Sequence, residues 1–81
     1  MLVRILLFAR LRELAGAGEL DRELPDGATA RTAWEALARE FPEMAPLGST
    51  VSCAVNEEYA RLTTALRDGD EVAFLPPVSG G

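Results

Sequence analysis

One stretch of this chain keeps a helical apolar period through three turns. Ala30, Ala33, Trp34, Leu37, Ala38 and Phe41 recur at i, i+3/4, i+7, i+8 and i+11, a stripe that has to lie against an apolar surface. Thr29 is placed to cap its start, and Pro42 stops it. Arg31, Glu35 and Arg39 line the opposite side at i, i+4 spacing, contributing roughly 0.2–0.5 kcal/mol per pair. The surface under this helix has to come from the shorter apolar runs on either side.

Those runs read as strands. Leu2 to Phe8 alternates, with Val3, Ile5 and Leu7 on one side and Leu2, Arg4, Leu6 and Phe8 on the other. Ala9 to Ala15 predicts a short helix closed by Gly16 at C′, with Leu11, Leu14 and Ala15 inward. Glu19 to Leu24 reads as an exposed edge strand ended by the turn Pro25-Asp26-Gly27. Glu43 to Thr50, with Pro46 and Gly48, reads as a loop. Val51 to Val55 predicts a strand with Val51, Cys53 and Val55 facing one way, and Asn56-Glu57-Glu58 is turn-like. Asp68-Gly69-Asp70 marks a tight turn before a last strand, Glu71 to Leu75, which Pro76-Pro77 ends. Helices on one mixed sheet make a small α+β two-layer domain. One long helix across a four- to five-stranded sheet is the β-grasp arrangement. The expected layout is a folded domain over residues 1–75 and a flexible tail over 76–81.

Composition excludes most chemistry. The 81 residues carry 8 basic and 13 acidic side chains, net charge −5, and every basic one is Arg. Such a chain is a poor nucleic-acid binder. No His and one Cys leave the usual zinc and haem ligand sets out of reach, along with His-based acid–base catalysis. A lone Cys forms no internal disulfide, which points to a cytoplasmic location. The first apolar run spans only Ile5 to Ala9 after Arg4, too short for a membrane span or a secretory core. Glu57-Glu58 and Asp68/Asp70/Glu71 fall in turns, where such residues are solvated or bond their own backbone. Cys53 lies among valines and reads as an inert core thiol, and Trp34 reads as core. Gly16-Ala17-Gly18 lacks the Lys and preceding strand of a phosphate loop.

The unusual element is the C-terminus. Gly80 and Gly81 have no side chains, so their backbone can thread a narrow channel. Pro76-Pro77 stiffens the exit from the last strand. A terminal carboxylate is ionised at neutral pH, and unhindered it can attack the α-phosphorus of a nucleotide to give an acyl-adenylate.

At this point the chain resembles the small subunit of molybdopterin synthase, the MoaD-like sulfur carriers. Leu7-Phe8-Ala9-Arg10-Leu11-Arg12-Glu13-Leu14-Ala15-Gly16 is similar to the family's opening F-A-x-x-R-E-L-x-G. Leu66 through Gly81 matches its ending, L-x-D-G-D-E-V-A-F-x-P-P-V-[ST]-G-G, and Ala54-Val55-Asn56 fits the strand between. The resemblance implies a ubiquitin-like β-grasp and a non-catalytic, sulfur-carrying subunit. By this likeness a MoeB-like adenylyltransferase activates Gly81 with its own ATP and magnesium. A sulfurtransferase then makes the thiocarboxylate. The MoaE-like large subunit takes the sulfur for cyclic pyranopterin monophosphate, usually in a heterotetramer. Gly80 would permit threading, and Val78 and Ser79 would line the groove. No cofactor or metal is expected on this chain itself.

Strand parity adds a docking face. With Val72 and Phe74 toward the helix, Leu75 faces out, as do Leu6 and Phe8. With Tyr59 they are expected to form an exposed apolar patch beside the tail, with Arg12 as a polar rim and the negative charge orienting a basic partner. Two other functions stand as alternatives. One is a sulfur carrier for tRNA thiolation or thiamine synthesis, the second disfavoured because thiamine carriers tend to be shorter and lack the P-P-V-[ST]-G-G ending. The other is a non-catalytic β-grasp adaptor with an inert tail.

Overall fold

The structure, a computed structural model, describes residues 1–77. It contains β1 (Leu2–Leu7), α1 (Ala9–Ala15), β2 (Glu19–Glu23), α2 (Ala30–Glu40), a 3-10 segment (Pro42–Ser49), β3 (Ser52–Val55), β4 (Glu58–Ala60) and β5 (Glu71–Leu75). The five strands form one sheet in the order β2-β1-β5-β3-β4. β1 and β5 run parallel at its centre, and all other pairs are antiparallel. α2 lies across one face, which makes the fold the β-grasp that the pattern predicts.

Local chemistry explains the elements. Thr29 and Thr32 cap α2 reciprocally, each side-chain oxygen accepting from the other's backbone N–H. The segment 61–66 serves the same helix end, since Ala30 N–H donates to Thr64 O at 3.0 Å and Arg31 N–H to Leu62 O at 2.8 Å. Gly16 ends α1 at φ +72°, a left-handed conformation that costs a glycine little.

The core forms where the two periods meet. Val3, Ile5 and Leu7 of β1 and Val72 and Phe74 of β5 are buried on the helix side. α2 sets Ala30, Ala33, Trp34 and Leu37 onto them. The Trp34 ring meets Phe74 edge-on, with centroids 5.2 Å apart at 64°. Leu11 from α1 and Met44 from the 3-10 segment close the core at its ends. At the edge, Arg22 Nε of β2 donates to Glu40 Oε2 at 2.9 Å, tying β2 to the last turn of α2.

Several expectations need correction. The first strand stops at Leu7; Phe8 is the N-cap of α1, and Ala9 takes φ 51°, so the chain bends before the helix begins. The strand expected from Val51 starts at Ser52, and the edge strand expected to reach Leu24 stops at Glu23, with Leu24 itself buried. The turn-like Asn56-Glu57-Glu58 is a tight hairpin in which Asn56 and Glu57 hold φ of 50° and 72° and Glu58 already belongs to β4. β4, three residues long, is a strand that the sequence pattern does not predict. Pro42–Ser49 is not a plain loop but 3-10 turns, and Gly48 lies directly under Trp34.

Candidate docking face and carrier tail

The site is built on the sheet face that α2 leaves open. Pleating turns the side chains paired opposite the core residues outward. Leu6 and Ala73 are register partners across β1 and β5, as are Ala73 and Ala54 across β5 and β3, and Ala54 and Tyr59 across β3 and β4. This row crosses four strands. Together with Phe8, Leu75, Glu57 and Glu71 it lines a shallow depression of about 280 Å³. Phe8 is 45% exposed and Tyr59 84%. Large apolar side chains left this open on one face are characteristic of a surface that meets a partner.

Four of the expected interface residues, Leu6, Phe8, Tyr59 and Leu75, therefore come together. Arg12 does not join them. It sits on α1 with its guanidinium over Gly18, where a Cβ would lie 3.2 Å from Arg12 Nε. Arg12 was expected to rim the apolar patch; it is not among the residues that line the depression, since β1 ends at Leu7 and Arg12 lies on α1 with its side chain against Gly18. The sequence reading also missed Ala54, Ala73, Glu57 and Glu71. The parity of β3 and β5 was sufficient to place the two alanines; the two glutamates depend on the hairpin and on the strand order.

β5 carries the tail. It occupies the sheet centre, flanked by β1 and β3, and the chain leaves it at Pro76 and the exposed Pro77. Leu75, the last strand residue, lines the depression. The exit therefore lies beside the open face, as the parity argument requires. Val78, Ser79, Gly80 and Gly81 lie outside the described residues, and so does the geometry expected of them.

The carboxylates near this face have structural duties. Asp68 Oδ1 accepts from Leu2 N–H at 2.7 Å. Asp70 accepts from Asn56 Nδ2 at 3.0 Å and from Arg67 N–H at 2.8 Å. The hydrogen bond from Asn56 first, and that from Arg67 second, hold its carboxyl below the ordinary value. Burial pushes the Cys53 thiol up, and Cys53 Sγ donates to Ala60 O at 3.4 Å, so it stays a protonated core thiol. Among the described residues no group of three His, Cys, Asp or Glu side chains is placed to hold a metal. No helix among them is long and apolar enough to cross a membrane.

Comparison with known proteins agrees with this architecture. The ThiS family model matches residues 5–81. The molybdopterin synthase sulfur carrier subunit of Chlamydomonas reinhardtii is 41% identical, covering 100% of both chains. Among solved structures, SAMP1 from Haloferax volcanii superposes with a TM-score of 0.87 at 31% identity, covering 100% of both chains. A chain of the protein-protein complex of subunits 1 and 2 of the molybdopterin-converting factor from Helicobacter pylori 26695 superposes at 0.68 with 23% identity, again over 100% of both chains. At that identity the likeness speaks for the fold alone. The ubiquitin-like β-grasp, the family match running from Ile5 to Gly81 and the end-to-end likeness to a named carrier lead to one assignment: the chain belongs to the ThiS family, among the molybdopterin synthase sulfur carrier subunits.

Proposed function

We propose that this chain carries sulfur as a thiocarboxylate on Gly81 and delivers it to the pterin precursor of molybdopterin. The observation that carries the reading is the placement of β5. Its end leaves the open face beside an apolar depression, and the matched sequence continues from there through Pro76, Pro77, Val78, Ser79 and Gly80 to Gly81. An interface and a threading tail are then side by side, so docking and delivery are one event.

The chemistry follows from the terminal carboxylate. It attacks the α-phosphorus of ATP and displaces pyrophosphate, giving an acyl-adenylate. Hydrosulfide displaces AMP to give –COS⁻ and a proton; where the donor is a persulfide, the acyl persulfide that forms is cleaved by a second thiol of the donor side, which leaves –COS⁻ and a disulfide. Activation takes place on a MoeB-like adenylyltransferase, which supplies the ATP and magnesium site, and a sulfurtransferase supplies the sulfur. The MoaE-like large subunit receives the tail and presents cyclic pyranopterin monophosphate; two carriers are consumed per dithiolene. This chain contributes the acyl group and the docking face and binds no cofactor. The end-to-end likeness to named molybdopterin synthase sulfur carrier subunits supports a partner subunit of that synthase. The whole sequence takes place in the cytoplasm.

The test is intact mass after incubation with the activating enzyme, ATP, magnesium and a sulfur donor. A gain matching one oxygen replaced by sulfur at Gly81, lost on adding the large subunit with its pterin precursor, is the expected result. A second reading has its own support in the likeness to SAMP1, the small archaeal modifier protein 1. There the same activated tail would be transferred to another acceptor, as in protein modification or tRNA thiolation. A thiocarboxylate that forms but is not discharged by the large subunit favours it. No mass gain beside an active control carrier leaves the adaptor.

A further inference from the structure

The acidic side chains on the open face are not equivalent. Arg4 of β1 is the register partner of Asp21 on one side and of Glu71 on the other. Its guanidinium turns to the β2 side, with Nε 3.5 Å from Glu19 Oε1 and 3.7 Å from Asp21 Oδ1. Asp70 is occupied by Asn56 and Arg67. That leaves Glu57 and Glu71. Both line the apolar depression, and neither has a cationic side chain within 4.0 Å among the described residues.

Their placement is held by Asn56, through its backbone and its side chain. Asn56 N–H donates to Glu71 O at 2.8 Å, and Glu71 N–H donates to Asn56 Oδ1 at 3.0 Å. The β3–β4 hairpin is thereby held to the start of β5, and the two glutamates stand at one end of the same depression. Apolar residues fill the rest of its wall. Two like charges beside a surface about to be desolvated have to be met by opposite charge, or the docking itself is opposed.

We propose that Glu57 and Glu71 form an anionic rim that receives an Arg or Lys side chain of the docking partner and so sets the orientation in which the carrier seats. The inference rests on the functional reading above, and names the chemistry of the partner's face: an apolar knob with a cation at one edge. The apolar wall supplies affinity without direction, and the charged end distinguishes one way round from the other.

The experiment measures association of the full chain with the organism's own molybdopterin synthase large subunit, at about 20 mM and about 300 mM salt, where screening differs severalfold in range. The variants are Glu57→Gln, Glu71→Gln and the pair, with Glu35→Gln and Glu43→Gln, which do not line the depression, as controls. Circular dichroism checks that each is folded. The expected result is a roughly three- to tenfold slower association for each rim variant at low salt, converging on wild type at high salt, with the controls unchanged. Rim variants that match wild type at both salts overturn the inference, as does a loss of equal size at both. A wild-type chain that does not bind the large subunit at all overturns the functional reading and this inference with it.

Discussion

Asn56 and Asp70 join two turns that are far apart in sequence: Asn56 Nδ2 donates to Asp70 Oδ1 at 3.0 Å. The same Asn56 side chain accepts from Glu71 N–H, and its backbone sits at φ 50°. One residue thus closes the β3–β4 hairpin, tolerates the left-handed conformation and fixes the start of β5. Asn56→Ala removes both side-chain hydrogen bonds and leaves a strained φ. We expect a loss of about 1–3 kcal/mol in urea denaturation, with m unchanged. Asn56→Gly, which relieves the φ, should lose less than Ala.

Acid sensitivity follows from the same pair. The hydrogen bonds from Asn56 and Arg67 lower the Asp70 carboxyl in the folded state relative to the unfolded chain. A group lowered on folding contributes stability that is fully present above its unfolded value, near pH 4 for Asp at about 3.9, and lost as pH falls through the folded one. Thermal melts of wild type should therefore decline below about pH 4. Asp70→Asn should start from a lower melting temperature and decline less over that window. Equal slopes for the two proteins would count against Asp70 as the source.

The core predicts a sharper response. Phe74 is fully buried against Trp34, so Phe74→Ala should cost about 3–5 kcal/mol. Gly48→Ala tests the other side of the Trp34 ring, because a Cβ there would lie 2.8 Å from Trp34 Nε1 and the ring must shift. A loss of about 1–3 kcal/mol is expected, with a change in the emission of this single Trp.

Docking and folding should separate at Phe8. Its ring is half exposed and lines the depression, so Phe8→Ala should leave the melting temperature nearly unchanged. Affinity for the large subunit, measured by calorimetry, should fall about tenfold or more if Phe8 anchors the interface. An unchanged affinity would remove the ring from the docking face.

The tail should separate docking from delivery. Deleting Gly81 is expected to abolish sulfur transfer in the mass assay while binding to the large subunit largely persists. Gly81→Ala should slow transfer, since a methyl group crowds a channel suited to glycine. Pterin sulfuration that survives both changes would refute the carrier mechanism.

The division between what could be read from residues and what could not follows the range of the forces involved. Helical period, Thr29 as a cap and Gly16 as a stop are local, and α1 and α2 lie where they predict. Period-two alternation placed Val3, Ile5, Leu7, Val72 and Phe74 inward and Leu6 and Leu75 outward, because pleating sets side-chain direction without reference to partners. The closing motif through Gly81 is itself a string of residues, legible without any long-range contact. Other features were decided by contacts between distant segments. β4 has three residues and no apolar period, and it is a strand only because β3 is there to pair with it. Phe8 caps α1 instead of ending β1, and Arg12 lies against Gly18 and not in the lining of the depression, because the chain bends at Ala9 to lay α1 down. The central position of β5, beside a strand more than sixty residues earlier, gathers Ala54, Tyr59, Glu57 and Glu71 around Leu6. Local sequence sets which way a side chain points; only the order of strands decides which side chains it meets.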